Sequence, residues 1–297
     1  NEVNKYNILF IIPYYGKWPE WFPAFLLSCK ANPDINWLIP TDCEIPEDSP
    51  NNVRFVSSTL NDLELKTKKV TGLNVKLIRP YKICDLKPAF GHIFQDEIKN
   101  YDFWGHCDMD VIFGKITDFI TPDLLNNYDI ITTRKNRIAG HFTLYRNNES
   151  INSLYTKHHE YEFVFESEDN FHYDENRMTD LIQSEISAGN NLRIYWPDFM
   201  LNYKVPREKP SIVPNVINKW RWSEGRLYEE GNEGGEIMYL HFMTWKDTLN
   251  KCFFEYSDNP SQFYISYTHI GEKKSIIPAE VLKIDFSKIF PRLFIQN

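Results

Sequence analysis

The stretch YDFWGHCDMDVIFGKI, Tyr101 to Ile116, decides how the rest of the chain is read. An aromatic, strand-like run ends in two aspartates one residue apart, Asp108 and Asp110, and apolar chain resumes at once with Val111 to Phe113. Carboxylates cost free energy to bury unless something pairs with them. This is the only Asp-x-Asp in the sequence, and the apolar chain on both sides argues against a turn that dangles in solvent. The pair therefore reads as a divalent-metal site, with hard oxygen ligands suited to Mg2+ or Mn2+. The plain alternative is a solvated acidic turn.

Upstream, strand-like and helix-like segments alternate. YNILFIIPYYG is a buried-strand pattern stopped by Pro13 and Gly16. WPEWFPAFLLSCKAN reads as a helix with Pro19 in its first turn. INWLIPTDC and NVRFVSS read as strands, STLNDLELKTKKV as a polar helix, NVKLIRP as a short strand and YKICDLKPAFGHIFQDEIKN as a broken helix. Such alternation predicts an open, mostly parallel α/β sheet flanked by helices. Ligands bind beyond the carboxyl ends of the strands in such sheets. Tyr14, Tyr15, Asp42, Asp108 and Asp110 all fall there. The second half is more mixed. YDIITT, GHFTLYRNN and EIMYLHFMTWKD read as strands, and DENRMTDLIQSEISAG as a helix ended by Gly189.

Bulk properties narrow the function. With 297 residues, 42% of them hydrophobic, the chain suffices for one large domain. A net charge of −8 argues against nucleic-acid binding. The five cysteines are scattered without C-x-x-C spacing, which suggests reduced thiols rather than a disulfide frame or a zinc site. No signal peptide and no apolar run of membrane-spanning length is visible. The chain opens on Asn1 and not Met, which fits a trimmed chain or one module of a longer enzyme. A metal held by carboxylates keeps positions for substrate phosphates. The lack of GxxxxGK[ST] and of GxGxxG excludes the usual P-loop and dinucleotide fingerprints.

The segments IIPYYGKWPEWF, WLIPTDC, YKICDLKPAFGHIF and DFWGHCDMDVIFG resemble glycosyltransferases of the GT-A fold with their DXD motif. More closely, they resemble a family of bacterial glycosyltransferase-like proteins from capsule and O-antigen gene clusters. The likeness spans Ile8 to Asn147 and continues more loosely through HYDEN, KWRWSEGRLY and YLHFMTWK. It implies a single GT-A-like domain: a nucleotide-binding half over 1–115, a donor and acceptor half over 116–250 and an extension over 251–297. A mixed C-terminal segment would close the active site.

The resemblance also implies roles. Pro13, Tyr14 and Tyr15 would receive the nucleotide base, and Asp42 the base or ribose; the two tyrosines read equally as core aromatics. In YKICDLK, Lys82 or Lys87 would meet a phosphate or sugar hydroxyl, with Asp85 holding the lysine; a surface ion pair is the alternative. His241 would be a third metal ligand beside Asp108 and Asp110, tilting the choice toward Mn2+, and Lys246 would meet the diphosphate. Here the sequence departs from the pattern: no glycine follows the histidine, and Lys246 directly follows Trp245. Gly140 would let backbone approach the sugar, and His141 or Arg137 would hydrogen-bond its hydroxyls. Asp174 or Glu175 would be the catalytic base of an inverting enzyme or would steady the donor of a retaining one. Trp220 and Trp222 would form a sugar platform or seal the core. The implied activity is metal-dependent transfer of a hexose, with galactose foremost, from a UDP-sugar to a lipid-linked or oligosaccharide acceptor of a growing surface polysaccharide. The implied location is the cytoplasmic face of the inner membrane, with membership of a larger membrane-associated assembly as one option. A sugar nucleotidyltransferase and a non-catalytic sugar-binding protein are the competing functions.

Overall fold

The computed structural model describes residues 5–197, 215–216, 220–230, 235–243, 246–274 and 277–278. Strands β1 (Ile8–Ile11), β2 (Ile35–Thr41), β3 (Val53–Ser57) and β4 (Phe103–Cys107) lie parallel in the spatial order β3-β2-β1-β4. After the short β5 (Val111–Phe113), the same sheet gains β6 (Ile130–Thr132), β7 (Phe142–Arg146) and β8 (Ile194–Tyr195), giving seven strands in the order β3-β2-β1-β4-β7-β6-β8. Only β7 runs antiparallel to its neighbours. This is the mostly parallel α/β sheet flanked by helices that the alternation predicts.

Side chains of β1 divide the core by parity, as a pleated strand with both faces covered must. Leu9 and Ile11 enter one apolar layer with Trp104 and Phe90, while Ile8 and Phe10 enter the other with Phe25 and Phe113. On that second side lies helix α1 (Phe22–Lys30). Its Phe22, Phe25 and Leu26 face the large sheet, and its Ala24 and Leu27 face a third apolar cluster. A helix with apolar residues all round belongs between two layers. Proline in its first turn is Pro23, not Pro19; Pro19 accepts from the Phe22 N–H in the preceding turn. Helix α2 (Leu60–Thr71) is instead a surface helix, with a Thr59–Asp62 capping box and Gly72 ending it at φ +70°.

The third cluster is covered by a second, six-stranded sheet. In chain order the remaining strands are β9 (Asn215–Val216), β10 (Trp220–Ser223), β11 (Arg226–Glu229), β12 (Glu236–Ile237), β13 (Tyr239–His241), β14 (Lys251–Cys252), β15 (Gln262–Ile265), β16 (His269–Gly271) and β17 (Ile277–Pro278). The six-stranded order is β12-β11-β10-β15-β16-β14, and β9 pairs with β17. Trp220 and Trp222 share the inner face of β10. Trp222 stacks on Phe263 and donates to the Phe113 carbonyl, so the pair seals the core. Strand β13 belongs to neither large sheet and pairs antiparallel with β5, setting His241 opposite Val111.

Two further expectations are corrected. Residues 74–80 form no strand: Val75 and Leu77 alternate inward as a strand would, but the Leu77 N–H goes to the Glu64 carboxylate of α2 at 2.7 Å rather than to a sheet neighbour. The helix expected from Asp174 opens as a π-helical turn, Tyr173–Arg177, before regular α-helix over Met178–Ser187; Gly189 then follows at φ +77°. The broken helix over 80–98 is as expected, with Pro80 and Pro88 each opening a 3-10 turn. Trp245 and residues 279–297 lie outside the described residues.

Lys82 and Asp85 are neither a ligand site nor a surface pair. Both are almost wholly buried and 2.8 Å apart. Lys82 Nζ also donates to the carbonyls of Val164 and Asp169, and Asp85 accepts from the N–H groups of Phe171 and Tyr173. The pair thus ties the broken helix to the segment before the π-turn. Removing one partner strands a buried charge. Asp85→Ala is expected to cost about 3–5 kcal/mol in urea unfolding, and a loss below about 1 kcal/mol, the size of a surface pair, would contradict the clamp.

Candidate functional site

The turn between β4 and β5 is pinned from three sides. Asp108 N–H reaches the His141 carbonyl at 3.3 Å, Trp21 Nε1 donates to the Met109 carbonyl at 2.9 Å, and Phe242 N–H reaches the Asp110 carbonyl at 3.2 Å. Because β13 runs beside β5, His241 arrives at this turn from the far end of the chain. Its Nε2 stands 3.5 Å from Asp110 Oδ1 and 4.0 Å from Asp108 Oδ2. One ligand atom from each of the three residues lies within 4.8 Å of the others. Two carboxylates and an imidazole form a donor set that first-row divalent ions, Mn2+ among them, accept readily. His141 stacks on His241, ring centroids 3.9 Å apart, and hydrogen-bonds the Tyr239 hydroxyl through Nε2 at 2.7 Å. Burial, then the neighbouring His241, pushes the His141 pKa well below the ordinary histidine value, so a neutral ring stacks on His241 without adding charge.

Two ammonium groups face the aspartates. Lys87 Nζ sits 2.7 Å from Asp108 Oδ1, 3.0 Å from the Gly140 carbonyl and 3.7 Å from Asp174 Oδ2. Lys246 Nζ lies 3.4 Å from Asp110 Oδ2 with its side chain about half exposed. Burial works against the Lys87 charge, but Asp108 above all, with Cys84 and Asp174, holds its pKa well above the usual lysine value. Burial likewise works to raise the Asp108 carboxyl; Lys87 and then His241 outweigh it and hold the group below the ordinary range. Lys246 is raised, with burial opposing and Asp110 prevailing.

Gly140 is the hub behind these groups. Its carbonyl accepts from both Lys87 and His106 Nδ1, and its N–H donates to Glu175 Oε1 at 3.1 Å. A Cβ here would come within 2.4 Å of Asp174 Oδ2, so the close approach that requires glycine is to a carboxylate of the protein itself. Glu175 also pairs with Arg137 at 3.2 Å and Arg134 at 3.8 Å.

A cleft of about 600 Å3 opens in front of the aspartates. Pro13, Tyr14, Tyr15, Lys87, Asp108, Asp110 and Lys246 line it, so seven of the residues singled out in the sequence converge on one concavity. His241, His141, Gly140, Asp174 and Glu175 stand behind that lining, and Asp42 lies outside it, exposed, accepting the Gly16 N–H at 2.8 Å. Tyr14 stacks on Trp18 and Trp18 on Phe22, at centroid distances of 5.4 and 4.1 Å. Tyr15 is mostly buried, with its hydroxyl 3.3 Å from Ser58 Oγ.

The model of a family of unknown function, DUF6625, matches residues 10–274. The chain belongs to the DUF6625 family. No curated protein gives a match. Among solved structures, this DUF6625 chain is similar to galactosyltransferase LgtC in complex with donor and acceptor sugar analogues, at 11% identity over 66% of this chain and 75% of that one, TM-score 0.35. It is similar to the glycosyltransferase GlyE of Streptococcus pneumoniae TIGR4 at 10% identity over 68% of this chain and 47% of that one, TM-score 0.33. It is also similar to mouse xyloside xylosyltransferase 1, at 12% identity over 65% of this chain and 78% of that one, TM-score 0.28.

Three residues of this DUF6625 site escaped the sequence reading. Tyr239 carries the His141 bond and lies two positions before His241, hence on the same face of β13. His106 precedes Asp108 by the same interval; burial first, then Lys87, lowers its pKa to about 3, so it stays neutral. Trp21 reads as a helix aromatic until its bond to Met109 is seen. Asp174 is the carboxyl of this network whose titration moves upward. Burial, joined by the charges of Glu175 and Asp108 and opposed by Lys87, raises its pKa to about 7. The native fold therefore keeps a proton that the unfolded chain releases near about pH 4. Stability is expected to fall as pH rises from about 4 to about 7 and then level off. In urea denaturation Asp174→Asn should gain on the wild type by about 1–3 kcal/mol between about pH 5 and pH 8; a constant gap across that window would refute the assignment.

Proposed function

We propose that this chain is a metal-dependent glycosyltransferase that moves a sugar from a UDP-sugar donor to a hydroxyl of a saccharide acceptor. The observation that carries the reading is the meeting of Asp108, Asp110 and His241 beside two lysines at the carboxyl edge of a mostly parallel sheet. Asp108, Asp110 and His241 would hold the cation, Mn2+ in preference to Mg2+ because one donor is imidazole. When bound, the cation neutralises charge that develops on the diphosphate leaving group. Lys246, half exposed at the cleft, is the ammonium free to shift from Asp110 toward a phosphate oxygen. Lys87, buried and fixed by three acceptors, orients Asp108. Pro13, Tyr14 and the Tyr14–Trp18 stack line or border the same cleft and suit the base. Asp42 shapes the loop that follows β1 through Gly16.

Asp174 and Glu175 remain the candidates for the acceptor proton or for steadying the donor. Neither lines the cleft, which supports the second role, exercised through Lys87 and Gly140. The donor sugar we favour is galactose, and the acceptor a growing surface polysaccharide, lipid-linked or oligosaccharide, at the cytoplasmic face of the inner membrane, alone or in a larger assembly. No helix among the described residues is long and apolar enough to cross a membrane. The halves 1–115 and 116–250 would serve nucleotide and sugars respectively, with 251–297 closing the site.

Calorimetry of UDP binding with and without Mn2+ tests the reading. Asp110→Ala and His241→Ala are each expected to weaken Mn2+-dependent UDP binding by roughly 100-fold or more, beyond what loss of an outer-shell partner costs, while leaving the unfolding midpoint near that of the wild type. Unchanged affinity in both variants would overturn it. UDP released only when an acceptor is present distinguishes transfer from mere sugar-nucleotide binding.

A further inference from the structure

We infer that Tyr81, seated with His172 at the mouth of the cleft, is the stacking platform for the pyranose ring of the acceptor; this rests on the glycosyltransferase reading above. Tyr81 lines the cleft yet is 62% exposed, among the most exposed large apolar side chains described. An aromatic ring left in water at the rim of a polar site loses little by waiting and gains by covering an apolar face.

Its placement is fixed rather than incidental. Asn170 bridges the two residues: its Nδ2 donates to the Tyr81 carbonyl at 2.7 Å and its Oδ1 accepts the His172 N–H at 2.7 Å. His172 adopts a left-handed backbone, φ +51°, uncommon for a side chain other than glycine. The His172 ring lies T-shaped to Tyr81, with centroids 5.9 Å apart and planes at 79°, which orients the tyrosine. Directly beneath runs the buried Lys82–Asp85 clamp, which holds the backbone on both sides of His172. Rigidity of this kind lowers the ordering cost of binding.

Position selects the ligand. Tyr81 lines the same cleft as Asp108, Asp110 and Lys246. The residues suited to the base, Tyr14 and Trp18, follow β1, whereas Tyr81 comes from the separate turn that opens the 80–98 run. A pyranose such as galactose presents polar hydroxyls at its rim and a patch of C–H bonds on one face. That patch matches an exposed ring, and the hydroxyls would meet the carboxylate of Asp247 and the amide of Asn250, which line the same cleft.

Saturation-transfer NMR with methyl β-galactoside and methyl β-glucoside, recorded without nucleotide, tests this directly. The wild type and Tyr81→Phe are expected to saturate the ring protons of at least one glycoside. Tyr81→Ala should weaken its binding about tenfold, as loss of one aromatic stack implies, with UDP–Mn2+ affinity changed less than about twofold. Loss of UDP affinity in Tyr81→Ala would assign the ring to the nucleotide and overturn the proposal. So would glycoside signals that are absent from the wild type or identical in Tyr81→Ala. Failure of the wild type to bind UDP with Mn2+ would instead count against the transferase reading, since the glycoside measurement does not depend on it.

Discussion

One ammonium group organises the interior behind the cleft. Lys87 Nζ is shared by Asp108, Asp174 and the Gly140 carbonyl, and through Gly140 it reaches His106 and Glu175. A charge this deep survives only where several acceptors surround it. Each acceptor comes from a different element: the β4–β5 turn, the π-turn and the segment leading into β7. Moving any one of them disturbs the charge balance of the others. The geometry of the candidate metal ligands is therefore set as much by what stands behind Asp108 as by what stands before it.

Helix α1 plays the corresponding part for the apolar interior. It faces the large sheet with its phenylalanines and the second sheet with Ala24 and Leu27, so the two sheets share one continuous filling. The β5–β13 ladder crosses the same boundary in hydrogen bonds. Together they bring the histidine at the end of β13 to within a few ångströms of the aspartates in the β4–β5 turn.

The strands of the first half were legible because each is a short apolar run closed by a turn signal, and Asp108 and Asp110 because acidic residues interrupt such a run. His241 was legible only by resemblance, since a histidine on an apolar strand reads as core; geometry, not pattern, brings it to Asp110. The 74–80 segment misled because alternation reports which side is buried and not whether a neighbouring strand exists to accept hydrogen bonds. Lys82 and Asp85 misled because spacing of three along a helix looks the same on a surface and in a core. The acceptors that bury them, the Val164 and Asp169 carbonyls and the Phe171 and Tyr173 amides, lie some eighty residues away.

The pairing of β5 with β13 also bears on how the molecule comes to exist. About 130 residues separate Asp110 from His241, and contacts of such separation form slowly because a long loop must close before anything rewards it. The parallel strands β1 to β4 complete within the first 107 residues and have no such wait. A nascent chain would thus own a finished sheet edge, aspartates included, well before it owned a histidine to set against them. The meeting of Asp108, Asp110 and His241 thus becomes a late event in folding, reached only once the second sheet has docked on α1.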